Sequence, residues 1–134
     1  MKTKTFFQIA ILSVALLALY ACQQKPSSRE IQPRFSHHVF FWLNNPDDPS
    51  DRAAFEKGIA ELLEIPEIKA YHFGTPAHTG ERGVVDASYT YSFLVFYDDE
   101  AGHDIYQDHP LHLKFIDDCK HLWSKVLVYD SVTK

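Results

Sequence analysis

The stretch Tyr89-Thr90-Tyr91-Ser92-Phe93-Leu94-Val95-Phe96-Tyr97 decides the fold of this chain. Aromatic and aliphatic residues occupy almost every position, which is typical of a β-strand that lies inside a sheet with both faces covered. A central strand needs partners on both of its edges. The flanking sequence is therefore expected to supply further strands, together with the helices that cover them.

The sequence before this strand predicts one strand, one helix and a second strand. Residues 35–43 are aromatic and β-branched and end at the turn Asn44-Asn45-Pro46, so they form a strand. Asp48-Pro49-Ser50 has the chemistry of a helix start, and Pro66 ends that helix. The apolar stripe of the helix consists of Phe55, Ile59, Leu62 and Leu63. A second strand is expected over residues 68–73.

The sequence after the central strand predicts two helices and a last strand. Asp98-Asp99-Glu100 opens a short helix, because carboxylates favour the positive end of a helix dipole. Pro110 starts a further helix that reaches about Trp123, and residues 125–132 form the last strand. The resulting order, β-α-β-β-α-β, is that of a ferredoxin-like α+β protomer.

The strands are apolar on both of their faces, which predicts a second copy of the chain. Phe40 and Trp42 alternate with Val39 and Phe41 along the first strand. One layer of helices covers only one face of a sheet. We therefore expect a homodimer in which two sheets pack face to face as a dimeric α/β barrel.

The N-terminus resembles a bacterial lipoprotein signal. Lys2 and Lys4 precede an apolar stretch that ends at Leu19-Tyr20-Ala21-Cys22. Cleavage would remove residues 1–21, and Cys22 would carry lipid, with palmitate among its acyl chains. Two alternatives stay open: a transmembrane helix, although spanning needs about 20 apolar residues, and an ordinary secretory signal with a chance cysteine.

The sequence after Cys22 predicts a tether and one folded domain. Residues 22–34 are polar and contain Pro26 and Pro33, so we expect a flexible spacer between lipid and domain. The domain spans residues 35–132. Gln23, unlike an aspartate at that position, favours the outer membrane. The expected location is the bacterial cell envelope, with the membrane as a partner through the lipid on Cys22.

Composition excludes two classes of protein. The chain has 13 Lys and Arg against 18 Asp and Glu, and loss of Lys2 and Lys4 makes the remainder more acidic. Nucleic acid is therefore not an expected partner. If Cys22 carries lipid, Cys119 is the only free thiol, which excludes a disulfide scaffold. Cys119 lies among apolar residues and is expected to be a small buried side chain.

One run, Tyr106-Gln107-Asp108-His109-Pro110-Leu111-His112, concentrates residues that exchange protons. Pro110 fixes a helix start, so His109 lies at the cap and His112 about one turn into the helix. Tyr106 ends the preceding helix. A phenol and an imidazole thus come to one end of the sheet, where a proton can be exchanged. The alternative is structural: His109 caps the helix and His112 packs beneath the loop.

These motifs resemble the stress-responsive A/B barrel (Dabb) family over nearly all of residues 35–132. The residues that carry the resemblance are His38, Tyr106, the His109-Pro110-Leu111-His112 element, Phe115, Trp123 and the terminal strand Val126-Leu127-Val128-Tyr129-Asp130. The resemblance implies ferredoxin-type protomers that form a dimeric barrel.

The resemblance also implies candidate site residues. Some plant members are polyketide cyclases in which a tyrosine and a histidine transfer protons, and by motif those roles fall on Tyr106 and His112. His38 would face the same cavity from the first strand. Another polar pocket position of the family falls near Tyr91 or Ser92 here. Tyr91 and His109, with His38, are expected to contact the ligand.

Two functions follow as hypotheses. The first is binding of a small apolar or aromatic molecule in the barrel pocket. The second is a cofactor-independent cyclase or aldol-type enzyme that uses Tyr106 and His112 as acid and base. Metal binding through His109 and His112 with His37 or His38 is disfavoured, because a structural zinc site usually has four ligands. No metal or cofactor is expected, and haem degradation is supported only by analogy of fold.

Overall fold

The computed structural model describes residues 34–80 and 82–134, which form one α+β unit. Its elements are β1 (Phe35–Leu43), α1 (Pro49–Leu62), β2 (Ala70–Gly74), β3 (Tyr91–Tyr97), α2 (Glu100–Asp108), α3 (Pro110–Cys119) and β4 (Trp123–Val132). The predicted ferredoxin-like order is confirmed. The predicted signal peptide, Cys22 and the tether up to residue 33 lie outside the described residues. No helix within those two ranges is both long and apolar enough to cross a bilayer.

The sheet has four antiparallel strands in the order β2-β3-β1-β4. The expected central position of β3 is confirmed, because β3 pairs with β2 on one edge and with β1 on the other. The strand order also places β1 beside β4, so residues far apart in the chain become direct neighbours. His37 of β1, for example, is the register partner of Asp130 in β4.

The last helix is shorter than predicted. It ends at Cys119 rather than near Trp123, and the amide of Leu122 closes a turn by donating to the carbonyl of Cys119 at 2.8 Å. Trp123 is instead the first residue of β4, opposite Leu43. Its ring packs 5.3 Å from that of Phe41. Pairing and packing against β1 thus outweigh the helical pattern of the preceding residues.

All three helices pack on the same side of the sheet. We call this side the covered face, and its central residues are Phe35, His37, Val39 and Phe41 of β1 with Tyr91, Phe93, Val95 and Tyr97 of β3. Phe55 of α1 is fully buried, and its ring lies 4.9 Å from that of Phe41 and 5.1 Å from that of Tyr91. Each such side chain stabilises the fold by about 1.5–3 kcal/mol through burial.

Helices α1 and α3 approach closely at Gly58. A Cβ atom at Gly58 would lie 2.7 Å from the sulfur of Cys119, so a larger residue would push the two helices apart. Cys119 is buried as expected, and burial raises the pKa of its thiol. Its role in the described structure is packing.

The opposite side of the sheet, which we call the open face, carries no helix of the described residues. Its side chains alternate with those of the covered face along the same strands, and they include Ser36, His38, Phe40, Trp42, Ser92, Leu94, Phe96, Leu127 and Tyr129. Many are large and apolar, yet they are only half-buried or exposed; Tyr129, for example, is 60% exposed. The protomer thus has one apolar face that its helices leave uncovered.

Candidate functional site

A pocket of about 290 Å³ lies between the covered face and helix α3. Its walls are mostly apolar, from Val39, Phe41, Leu62, Phe93, Phe115, Ile116, Trp123, Val126 and Val128. The remaining lining residues are His37, Tyr106, Gln107 and His112. An apolar cavity with a few polar groups is the usual form of a small-molecule site, and this volume is just below the usual range of about 300–1,000 Å³, which suits a small ligand.

The junction of α2 and α3 brings Tyr106 and His112 to this pocket. His109 interrupts the helical path with an extended backbone, and its Nδ1 accepts a hydrogen bond of 3.2 Å from the amide of Leu111. Pro110 then starts α3. The predicted cap role of His109 is confirmed. Its ring does not line the pocket, so the structure leaves its expected ligand contact without support.

Tyr106 and His112 lie against each other, with ring centroids 4.6 Å apart. Burial raises the pKa of the Tyr106 phenol, which therefore keeps its proton and can donate it in a hydrogen bond. Burial lowers the pKa of His112, so its imidazole is neutral at pH 7. The expected juxtaposition of these two residues is confirmed, whereas their chemical roles stay a prediction.

The tautomer of His112 follows from its backbone contact. Nδ1 lies 2.9 Å from the carbonyl oxygen of Gln107. A carbonyl can only accept a hydrogen bond, so Nδ1 carries the proton and Nε2 holds the free lone pair. A neutral histidine with one nitrogen oriented by a hydrogen bond has the form of a general base.

His37, rather than His38, supplies the first-strand histidine of the pocket. Successive strand residues point to opposite faces, and His37 lies on the covered face, 5% exposed. Its Nδ1 donates to Oδ1 of Asp130 at 2.7 Å. Burial lowers the pKa of His37, while the hydrogen bond and charge of Asp130 act in the opposite direction. The ring centroids of His37 and Tyr106 are 6.0 Å apart.

The expectation that His38 faces the same cavity is wrong. His38 lies on the open face, where its Nε2 is 2.8 Å from the hydroxyl oxygen of Ser92. Burial lowers the pKa of His38, and nearby His72 adds to this effect. The alternation of side chains along β1 accounts for the difference, because a shift of one residue moves a side chain to the other face.

Tyr91 lies on the covered face but does not line the pocket. Its ring stacks between those of Phe55 and Phe73, and its hydroxyl donates to the carboxylate of Glu56. Burial and that hydrogen bond raise the pKa of Tyr91. The structure therefore does not bring Tyr91 together with Tyr106 and His112.

Two residues beside the pocket were not predicted from the sequence. His103 of α2 lies one turn before Tyr106, and its ring centroid is 5.0 Å from that of His37. Asp130 reaches His37 only through the pairing of β1 with β4. The three-residue spacing of His103 and Tyr106 places both on one helix face, so the sequence could have predicted that His103 lies near Tyr106. No local pattern indicates Asp130.

The structure bears on the metal-binding alternative that the sequence disfavoured. His109 is used as a helix cap, so a site built from His109 and His112 has no support within the described chain. The donor groups that do converge in the described ranges belong to His37, His103 and Asp130.

Comparison with known proteins identifies a family and a set of similar folds. Residues 35–133 match the family described as Stress Responsive A/B Barrel Domain, or Dabb. A Dabb family protein with a ferredoxin-like fold from Mesorhizobium loti has a TM-score of 0.63 at 23% identity, covering 77% of this chain and 99% of that chain. A search of curated proteins finds no match.

Two further solved structures share the fold at similar distance. One is a dimeric ferredoxin-like protein of unknown function from Thermobifida fusca, with a TM-score of 0.60 at 22% identity over 79% of this chain and 97% of that chain. The other is a hydroxynitrile lyase from Passiflora edulis, with a TM-score of 0.61 at 19% identity over 76% of this chain and 95% of that chain. At these identities the likeness concerns the fold alone.

Proposed function

This chain belongs to the stress-responsive A/B barrel (Dabb) family, and we propose that its pocket binds a small apolar or aromatic molecule. The observation that carries this proposal is the contrast inside the pocket. Its walls are apolar, whereas the few polar side chains, from His37, Tyr106 and His112, converge on one another. The ligand that fits has an apolar body and one or two polar groups at one end.

The polar side chains define what the ligand must offer. Tyr106 keeps its proton and serves as a donor. The neutral His37 and His112 both have Nδ1 engaged, with Asp130 and with the carbonyl of Gln107, so each has a lone pair on Nε2. A carbonyl oxygen would accept from Tyr106, and a hydroxyl group would donate to an imidazole. Aromatic ketones and phenols are therefore the ligand class to test first.

Binding is tested with a variant that fills the pocket from a partly exposed position, so that the buried core is not overpacked. Val128 lines the pocket from β4 yet is 41% exposed, so Val128→Phe can occupy the cavity with little strain. The matched control is Val84→Phe, at a loop position that is 90% exposed. Isothermal titration with a panel of aryl ketones and phenols should give binding to the unaltered chain and the control only. Equal affinity in Val128→Phe would exclude this pocket.

An acid–base enzyme is the second candidate, favoured by the contact between Tyr106 and His112. A phenol donor beside a neutral imidazole can hold a carbonyl oxygen and remove a proton from the adjacent carbon, as a cyclase or aldol-type reaction requires. The Passiflora edulis lyase is an example of an enzyme with this fold. No cofactor is needed for such a step.

The enzyme candidate is tested by proton exchange at the carbon next to a carbonyl. NMR in deuterated buffer would follow exchange in any aryl ketone that binds. Loss of the base in His112→Gln should slow exchange about 100-fold or more, while affinity changes little. The exposed His121→Gln is the control. Exchange at the rate of buffer alone in the unaltered chain would leave only the binding function.

We propose that the protein acts in the bacterial cell envelope, anchored by lipid on Cys22, in keeping with the basic and apolar N-terminal pattern. Cells fed a fatty-acid analogue should label the unaltered chain and Cys119→Ala, but not Cys22→Ala. Cys119 is the matched control because it is the other cysteine. Undiminished labelling of Cys22→Ala would contradict the lipoprotein assignment. Separation of outer from inner membranes tests the proposed outer-membrane location of the labelled chain.

We propose that the functional unit is a homodimer closed across the open face. The apolar side chains of that face and the dimeric state described for the Thermobifida fusca protein support this proposal. Each protomer keeps its own pocket, because the pocket lies on the covered face. Dimerisation therefore serves the stability of the barrel rather than the chemistry of the site.

A further inference from the structure

Three metal-ligating side chains from three different elements converge beneath helix α2. His37 comes from β1, His103 from α2 and Asp130 from β4. One possible donor atom from each lies within 4.8 Å of the other two. They meet beside the pocket, and His37 belongs to both groups of residues.

The two histidines are held firmly in place. His37 is 5% exposed and its Nδ1 is 2.7 Å from Oδ1 of Asp130. The ring of His103 stacks on Phe35 with centroids 4.7 Å apart. The side-chain amide of Gln107 lies 3.0 Å from Nε2 of His103 and can orient that imidazole. The contact of His37 Nδ1 with a carboxylate is of the kind that orients a metal-ligating histidine and leaves its Nε2 for the ion.

An unsatisfied polar group borders the same cluster. Tyr97 is completely buried, and its hydroxyl has no hydrogen-bond partner among the described residues. Its ring centroid is 5.5 Å from that of His103. Burial raises the pKa of Tyr97, and the neighbouring Tyr106 phenol and the carboxylate of Asp130 add to this effect. A buried polar group without a partner is costly and indicates a missing neighbour.

We propose that His37, His103 and Asp130 bind a divalent transition-metal ion, with a water on the ion as the partner of the Tyr97 hydroxyl. Two imidazoles and one carboxylate leave coordination positions open, as in catalytic rather than structural sites. The site goes beyond the proposed ligand binding: it shares His37 with the pocket, while His103 and Asp130 lie outside the pocket lining.

The donor set selects the class of ion. Imidazole nitrogen suits Zn²⁺, Fe²⁺ and Co²⁺, whereas Mg²⁺ and Ca²⁺ prefer oxygen ligands. Bonds of about 2.0–2.2 Å place donor atoms roughly 3–3.5 Å apart. The possible donor atoms now lie up to 4.8 Å apart, so a ligating side chain must rotate slightly toward the others to bind one ion. The side chain of Asp130 is 44% exposed, so it has room to rotate if its hydrogen bond to His37 is exchanged for a bond to the ion.

Cobalt supplies a direct test, because bound Co²⁺ has a visible ligand-field spectrum that reports its ligands. The full chain, purified in detergent and stripped with a chelator, is titrated with Co²⁺ and then with Zn²⁺ in competition. Asp130→Asn and His103→Gln alter partly exposed ligands and should weaken affinity about tenfold or more. The controls are His121→Gln and Asp117→Asn, both exposed and distant in the sequence from the cluster.

The outcomes separate clearly. One ion per protomer, lost affinity in both ligand variants and unchanged affinity in both controls would support the site. Absence of the spectrum in the unaltered chain would overturn it, as would equal binding in Asp130→Asn and His103→Gln. Loss of binding in His109→Gln alone would place the ion elsewhere and also overturn it. Val128→Phe should keep the ion while losing the aromatic ligand, so failure of one proposal is distinguishable from failure of the other.

Discussion

The covered and open faces of the sheet are made by the same strands, yet they differ in what the fold does with them. On β1, Phe35, Val39 and Phe41 of the covered face are at most 6% exposed. Their neighbours on the open face, such as Phe40, are only half-buried within the protomer. Apolar side chains point to both faces of the strands. Those on the covered face form the core, and those on the open face form an uncovered surface.

The two adjacent histidines of β1 show what this difference means for chemistry. His37 is buried beside Asp130 and Tyr106, at the pocket. His38 contacts Ser92 and the ring of Phe40 on the open face. The same residue type one position apart therefore belongs to a candidate site in one case and to a candidate interface in the other. Position relative to the helices, rather than residue type, determines the role.

The largest expected effect concerns the core of the covered face. Phe55→Ala removes a fully buried ring that packs on Phe41 and Tyr91. Truncation of such a residue costs about 3–5 kcal/mol of unfolding free energy. Urea denaturation should show this loss at every protein concentration, because the contact lies within one protomer. A loss below about 1 kcal/mol would mean that the helices do not cover this face as described.

The next effect concerns the open face. Leu94→Asp places a carboxylate on that face, and we expect about 100-fold weaker dimerisation, equal to about 2.7 kcal/mol. Light scattering on residues 23–134 should give twice the protomer mass for the unaltered chain and the protomer mass for the variant. Leu113→Asp, at a 54% exposed position on α3, is the matched control. A monodisperse monomer of the unaltered chain at micromolar concentration would contradict the proposed barrel.

A smaller effect separates function from packing at the pocket. Tyr106→Phe should cost about 1 kcal/mol or less, because the substitution keeps the ring that packs and removes only a hydroxyl on the pocket wall. His112→Ala leaves the carbonyl of Gln107 without its donor and should cost about 1–3 kcal/mol. Thermal unfolding and ligand titration on both variants provide the measurement. If occupancy falls only in proportion to lost stability, His112 is a packing residue.

The smallest effect is the pH dependence of stability. Burial lowers the pKa of His37 in the folded state below its ordinary value of 6.5. The unfolded chain therefore takes up a proton first as the pH falls, and the stability present above pH 6.5 is lost below it. His37→Gln should flatten the decline in unfolding free energy between about pH 7.5 and 5.5.

His38→Gln is the comparison variant for this effect. The pKa of His38 is also lowered by burial, but its ring is more accessible than that of His37. We therefore expect His38→Gln to flatten the decline less than His37→Gln. This comparison is made in the monomeric Leu94→Asp background, where no second copy covers the open face. A larger effect of His38→Gln there would contradict the burial described for the two faces.

Local sequence patterns determined most of the fold. The run 89–97 specified a central strand, because aromatic and β-branched residues on both parities suit a strand covered on both sides. Asp48 and Pro49 specified a helix start, and Asp48 accepts from the amides of Ser50 and Asp51 as a cap should. Pro110 likewise specified the start of α3, which places His109 at its N-cap. These features depend on neighbours within a few residues, so the sequence alone contains them.

Tertiary structure decided which face of the sheet holds the site. Both sets of alternating residues in β1 are apolar, so nothing local distinguishes His37 from His38. The choice follows from the path of the helical connections, which cross one face of the sheet only. Asp130 lies 93 residues from His37 and reaches it through strand register. His103 arrives through the packing of α2. Sequence thus determined the elements and Tyr106 with His112, whereas long-range pairing and the side chosen by the helices determined their partners.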